Sequence, residues 1–340
     1  MECLYKQIPK TVLRCIPNRR GCSHHPRQIS TSQRLHDSHG ALHGIKILDM
    51  SRVLAGPLCT QILADYGADV IKVEQPGQGD DTRYWRVDGE TSTWGHEEKL
   101  SYYFAAVNRN KRSFTLDVKQ EEGRKVLLNL AMNSDVLVEN FIPGKMEQFG
   151  LGYDTLGKLN RSLIYASISG IIIQNSFATE QKDLTQNEQD TTSLPAAAEA
   201  GLLHITGEHD GPPTEPGVAL TDISTGLYTH GAILAALQAR HRTGKGQKID
   251  CSLFDTQLLL LTSVAKVWLN MKKEATRFGT EHPSIVPLRI LLDCWDVELL
   301  AEDERFGTND KRNENRAALK VILDECFARK TTEKWLEALE

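Results

Sequence analysis

Two groups of residues in this chain have the types and spacing to do chemistry. The first is Asp222, within Ala219-Leu-Thr-Asp-Ile-Ser-Thr-Gly226. Leu227, Ile233, Leu234 and Leu237 follow it with an apolar face at helical spacing. His241 and Arg242 suit the negative end of such a helix, and Gly244 suits a left-handed stop. Thr221 or Asp222 would then cap the helix start, and a carboxylate there is held ionised with accessible oxygens. Such an Asp is in most cases only a cap; the other reading is a nucleophile. The second group is Asn108-Arg-Asn-Lys-Arg-Ser113, a basic cluster just ahead of a strand pattern. Its cations suit a phosphate-bearing ligand, or else a solvated loop.

The elements that must position these groups alternate regularly. Ile45–Met50 reads as a strand, Pro57–Tyr66 as a helix stopped by Gly67, and Asp69–Glu74 as a second strand. Strands at Ser113–Val118, Asp135–Glu139, Leu163–Ile168 and Gln247–Phe254 follow, with a helix at Glu121–Met132. This is the rhythm of a doubly wound, Rossmann-like α/β fold with parallel strands. It invites a nicotinamide dehydrogenase reading. Against that, Gly56-Pro57 stands where G-x-G-x-x-G would follow the first strand, and Pro76–Asp80 reads as a turn. No Walker, H-E-x-x-H or G-x-S-x-G pattern occurs either. Further on, Gln257–Asn270 reads as one helix, Asp303–Arg316 as a loop, and Asn315–Ala328 and Thr332–Glu340 as amphipathic helices.

Composition bounds the partners. The 340 residues carry a net charge of −5, which calls for no nucleic acid. No run is long and apolar enough to span a bilayer. The 7 Cys are scattered, with no C-x-x-C pair and no metal-ligand spacing, and read as reduced intracellular thiols. Residues 1–43 are rich in Arg and Lys and poor in acids, the profile of a mitochondrial transit peptide, so the matrix is the expected compartment. His24-His25 belongs to that leader rather than to a metal site. Residues 171–194 are mostly Gln, Asn, Thr and Glu without a clean period and read as a solvated insert.

Six blocks occur in one order: Gly44–Pro57, Ala68–Glu74, Gly79–Arg83, Asn108–Ser113, Val138–Gly144 and Ala219–Gly226. Together they resemble the class III CoA-transferase family. The resemblance implies a large domain over residues 44–285, a smaller and truncated domain over 286–340, and interlocked homodimers. It implies that Asp222 is the nucleophile and that CoA moves from succinyl-CoA to a dicarboxylic acid, glutarate or hydroxymethylglutarate, through an aspartyl-CoA thioester. Acyl-CoA and a small carboxylic acid are then the partners; CoA is substrate, and no bound cofactor, metal, nucleic acid or membrane is implied. By the same resemblance Leu54 and Ala55 lie along the pantetheine. Leu116, Lys119, Asn140 and Phe141 line the CoA groove, and Lys111, Arg112 and Lys145 meet its phosphates. Gln75 departs from the Arg the family often carries there, residues 171–194 match none of its pattern, and residues 288–300 look like the remnant of a deletion. Those departures open an alternative, a catalytically impaired splice form or gene-model fragment of such an enzyme.

Overall fold

The computed structural model describes residues 40–90, 100–170, 196–198, 200–286, 300 and 303–339. Residues 1–39 of the expected leader, the expected insert 171–194 and residues 288–299 of the expected junction lie outside the described residues.

The chain alternates as the sequence pattern requires: β1 (Lys46–Asp49), α1 (Ala55–Asp65), β2 (Asp69–Glu74), a 3-10 turn (Asp81–Tyr84), α2 (Tyr102–Ala106), β3 (Lys111–Thr115) and α3 (Glu121–Met132). Then come β4 (Val136–Glu139), α4 (Lys145–Gln148), α5 (Tyr153–Leu159), β5 (Ile164–Ser169), α6 (Leu202–Ile205), α7 (Leu220–Thr243) and β6 (Lys248–Ser252). The last described helices are α8 (Leu253–Leu260), α9 (Thr262–Met271), α10 (Asn309–Glu314), α11 (Arg316–Phe327) and α12 (Thr332–Leu339).

The six strands form one parallel sheet in the order β3-β2-β1-β4-β5-β6. Successive side chains point to opposite faces, so neighbours in β1 serve different cores. Ile47, with Val70, Val136 and Ile164, packs on Cys59 and Leu63 of α1 and on Ile233 and Leu237 of α7. Leu48, with Leu137 and Tyr165, packs on Leu127 and Ala131 of α3, Met146 of α4 and Leu156 of α5. Both faces are covered by helices, which makes the fold doubly wound and explains why β4 is the unbroken apolar run Val-Leu-Val before Glu139. A separate small core gathers Leu300, Phe306 and Leu319.

Some local expectations shift. The third strand starts two residues early, at Lys111, because β2 pairs Val70 with Lys111 and Glu74 with Thr115. That register draws Lys111 and Arg112 out of the loop and into an edge strand. The single helix expected over Gln257–Asn270 is interrupted at Leu261 into α8 and α9. Inside the expected loop Asp303–Arg316 lies α10, whose cap Thr308 accepts from the Lys311 N–H at 3.2 Å. The end of α7 is as expected: Gly244 has φ 68° and its N–H donates to the Arg240 carbonyl at 2.7 Å.

Strand order reverses between β1 and β4, and in open parallel sheets ligands sit beyond the strand ends at that point. Here the two strand ends are tied together. The Arg52 N–H donates to Asn140 Oδ1, and Asn140 Nδ2 donates back to the Arg52 carbonyl, both at 2.8 Å.

Candidate active site

A cleft of about 750 Å³ opens above this reversal point. Its walls are the β1–α1 loop from Met50 to Ala55, the end of β2, the stretch after β3, the loop after β4 and the start of α7. Asp222, Leu54, Ala55, Leu116, Lys119, Asn140, Phe141 and Lys145 all line it, although they come from four separate parts of the chain.

Asp222 stands in the first turn of α7 and is half-buried. The expectation that Thr221 or Asp222 caps this helix needs correcting. The cap residue is Ala219, with no side-chain bond to the helix. Thr221 is buried and its hydroxyl donates instead to Gln257 Oε1 at 2.7 Å. Helix α1 likewise begins at Leu54 without a side-chain cap. The two helices touch closely at Gly226, one turn beyond Asp222, where a Cβ would lie 2.7 Å from the Ala55 carbonyl oxygen. Two helix N-termini, each the positive end of a helix dipole, are thereby brought to one cleft wall beside a carboxylate. Such backbone N–H groups suit the oxyanion that forms when a carboxylate attacks an acyl carbon.

Beneath the β1–α1 loop lies a buried ionic network. Asp49 accepts from Ser51 Oγ at 2.5 Å, Thr60 Oγ1 at 2.6 Å and Lys111 Nζ at 3.0 Å. Burial alone would raise the Asp49 carboxyl, but Lys111, Lys72 and the two hydroxyls outweigh it and hold it well below the usual carboxylate range. Burial lowers Lys111 to about 8 against the opposing pull of Asp49. Lys72 Nζ donates to the Ser51 carbonyl at 2.8 Å and pairs with Asp80 Oδ2 at 2.9 Å.

Lys111 and Arg112, expected to meet the CoA phosphates, are engaged away from the cleft lining. Lys111 is buried to 1% exposure, bound to Asp49, the Pro57 carbonyl and Asn108 Oδ1, and does not line the cleft. Arg112 is exposed, forks onto Asp69 and does not line it either. Lys119 and Lys145 are the cations of the expected set that do.

Three groups of the cleft carried no signal in the sequence. Trp85 and Tyr103 line it and meet edge to face, with ring centroids 5.5 Å apart. Burial raises the Tyr103 phenol, and the carboxylates of Asp222 and Asp80 raise it further, so its proton stays on. Lys72 reads in sequence as an ordinary outward strand residue. The block Gly79-Asp-Asp-Thr-Arg83 supplies three further lining residues, Gly79, Asp80 and Asp81.

Arg83 also makes a bidentate pair with Glu74, with both bonds at 2.7 Å. Burial would raise the Glu74 carboxyl; bonds from Arg83, Ser113 and the Asp80 N–H lower it to about 2. A carboxyl at 4.5 in the unfolded chain and about 2 in the folded one stabilises the fold above pH 4.5. That contribution is lost as pH falls towards 2. Urea unfolding followed across this window is expected to show a steeper loss of stability for the native chain than for Glu74→Gln. Equal slopes would remove Glu74 from the acid response.

The model of CoA-transferase family III matches residues 42–297. An acyl-CoA transferase of Fusarium pseudograminearum is 50% identical over 324 residues, covering 89% of this chain and 69% of that protein. The succinyl-CoA:glutarate CoA-transferase of Mus musculus is 41% identical over 320 residues, covering 88% of this chain and 70% of the mouse protein. Among solved structures, a CAIB/BAIF family protein from Brucella suis superposes with a TM-score of 0.72 at 37% identity, covering 89% of this chain and 82% of that one.

Proposed function

This chain belongs to CoA-transferase family III, and on that premise we propose that it moves CoA from succinyl-CoA to glutarate or a related dicarboxylic acid, with Asp222 as covalent nucleophile. CoA thioesters are substrates of such an enzyme, and no cofactor is indicated. The observation that carries the reading is the setting of Asp222, on the cleft wall where α1 and α7 begin. The breadth of the matches does not favour the alternative of an impaired fragment.

In the proposed sequence, an Asp222 oxygen attacks the succinyl carbonyl carbon and the C–S bond breaks, releasing CoA thiolate and leaving a mixed anhydride. The thiolate attacks the aspartyl carbonyl, the anhydride C–O bond breaks, and succinate leaves an aspartyl-CoA thioester. A glutarate carboxylate attacks that thioester and again expels thiolate. The thiolate then attacks the glutaryl carbonyl, giving glutaryl-CoA and free Asp222. No net proton is taken up, and the covalent route divides one difficult exchange into four easier steps. Each tetrahedral oxyanion forms near the N-termini of α1 and α7. Leu54, Ala55, Leu116, Asn140 and Phe141 would flank the CoA arm, and Lys119 and Lys145 supply cations for its phosphates. Isotope exchange between succinyl-CoA and labelled glutarate, beside oxalate and acetate as competitors, tests the reading; preference for a monocarboxylate acceptor would overturn the substrate assignment.

We further propose a homodimer in which residues 44–285 form the CoA-handling domain and 286–340 belong to a smaller one. Its support is helix α9, which buries none of its residues and exposes Trp268, Leu269 and Met271 beside Leu258 and Leu259 of α8. Contiguous exposed apolar side chains of this kind support an interface. Sedimentation is expected to give a dimer that Trp268→Glu/Leu269→Glu converts to monomer, and a native monomer would refute it. The basic leader supports matrix import, checked by uptake and shortening of the chain in isolated mitochondria.

A further inference from the structure

Among the described residues three besides glycines have positive φ: Val53, Asn110 and Lys272. Asn tolerates that region, and Lys272 closes the end of α9. Val53, at φ 69°, is different, because a β-branched side chain makes the left-handed region a genuine outlier. Such strain persists only where the surroundings over-determine it.

The surroundings of Val53 do so. Its N–H is shared between Oδ1 and Oδ2 of Asp80, both at 3.3 Å. Asp80 is buried and pairs with buried Lys72, whose ammonium also holds the Ser51 carbonyl. Between these two grips, Arg52 is tied to Asn140 by its N–H and its carbonyl. The loop from Ser51 to Val53 is therefore fixed at each residue, immediately before Leu54 and Ala55 open α1 on the cleft wall. A buried ion pair is seldom a net gain in stability, so its use here points to geometry.

We propose that the Lys72–Asp80 pair is a positioning clamp. It holds Val53 in the left-handed conformation and so aims the start of α1 at the acyl group in the cleft. Lys72 and Asp80 are positioning residues in this account. Its catalytic consequence rests on the cleft being the acyl-CoA site; its conformational part does not.

The test uses the whole chain and separates those two parts. In thermal unfolding, Val53→Gly and Val53→Asn are expected to melt above Val53→Ala by about 2 °C, because Gly and Asn accept positive φ and Ala does not. Val53→Ala melting at or above Val53→Gly would overturn the proposal without reference to activity. In Lys72→Met/Asp80→Ala, which leaves no unpaired buried charge, the advantage of Gly over Ala is expected to vanish or reverse, since a released loop needs no left-handed residue. In CoA exchange the same double variant is expected to lose about 100-fold in kcat. Adding Val53→Gly restores about tenfold of that loss and adding Val53→Ala restores none. Equal rescue by Gly and Ala would reduce the pair to a structural role. Should the double variant not fold, Lys72→Met/Asp80→Asn, which keeps one acceptor oxygen and leaves no unpaired buried charge, takes its place. A native chain without exchange would sink the functional reading, while the melting comparison still decides the clamp.

Discussion

Asp222→Asn is expected to fold as the native chain does, to bind acyl-CoA, and to lose CoA exchange by about four orders of magnitude or more. The substitution keeps size and shape while removing the oxygen anion of the proposed attack, so the proposed route through an enzyme-bound thioester closes. Losses of that size are characteristic of nucleophiles, because the rest of the machinery then acts only through binding and polarisation. Mass spectrometry after incubation with succinyl-CoA is expected to find CoA attached at Asp222 in the native chain and nowhere in the variant. Exchange retained within about tenfold, or an adduct on another residue, would remove Asp222 from the proposed role. The measurement separates a nucleophile from a carboxylate that only complements the first turn of α7. A residue serving only the helix start would cost about 1 kcal/mol of stability and leave turnover nearly intact.

Gly226→Ala is expected to cost about 1–3 kcal/mol of stability and about 100-fold in turnover. An added Cβ would stand 2.7 Å from the Ala55 carbonyl oxygen, so one helix must move. The displaced atom is backbone, at the second residue of a cleft-lining pair, and it cannot swing aside as a side chain could. Moving α7 away from α1 carries Asp222 away from Leu54 and Ala55. Gly231→Ala on the same helix is the internal control. Gly231 is exposed with nothing within 4 Å of an added Cβ, and Ala there is expected to stabilise by about 0.5–1 kcal/mol. Equal behaviour of the two variants would show that the crossing of α1 and α7 does not set the site.

Much of the fold was legible because its signals are local. The β1, β2 and β4 runs, the helix over Glu121–Met132 and the stop at Gly244 each follow from periodicity or from one residue's backbone freedom. The third strand was misplaced by two residues, because its start is set by pairing with β2 rather than by its own composition. Lys111 shows the same limit at the site. In sequence it is one cation in a basic cluster; in the fold it is the buried partner of Asp49, 62 residues away. Lys72 and Asp80 could not be joined to Val53 by any spacing rule, since a strand, a turn and a loop meet there only after the sheet has formed.

The sequence by itself determined the alternating α/β order and, through six ordered blocks, membership of CoA-transferase family III. Both are carried by residue type along a continuous stretch. Only the tertiary structure decided which cations face the cleft, that Ala219 and not Asp222 caps α7, and that Val53 is held in a strained conformation. Those are matters of which distant groups share a low-dielectric space, and a charge or a backbone N–H has no settled role until the fold supplies its partner.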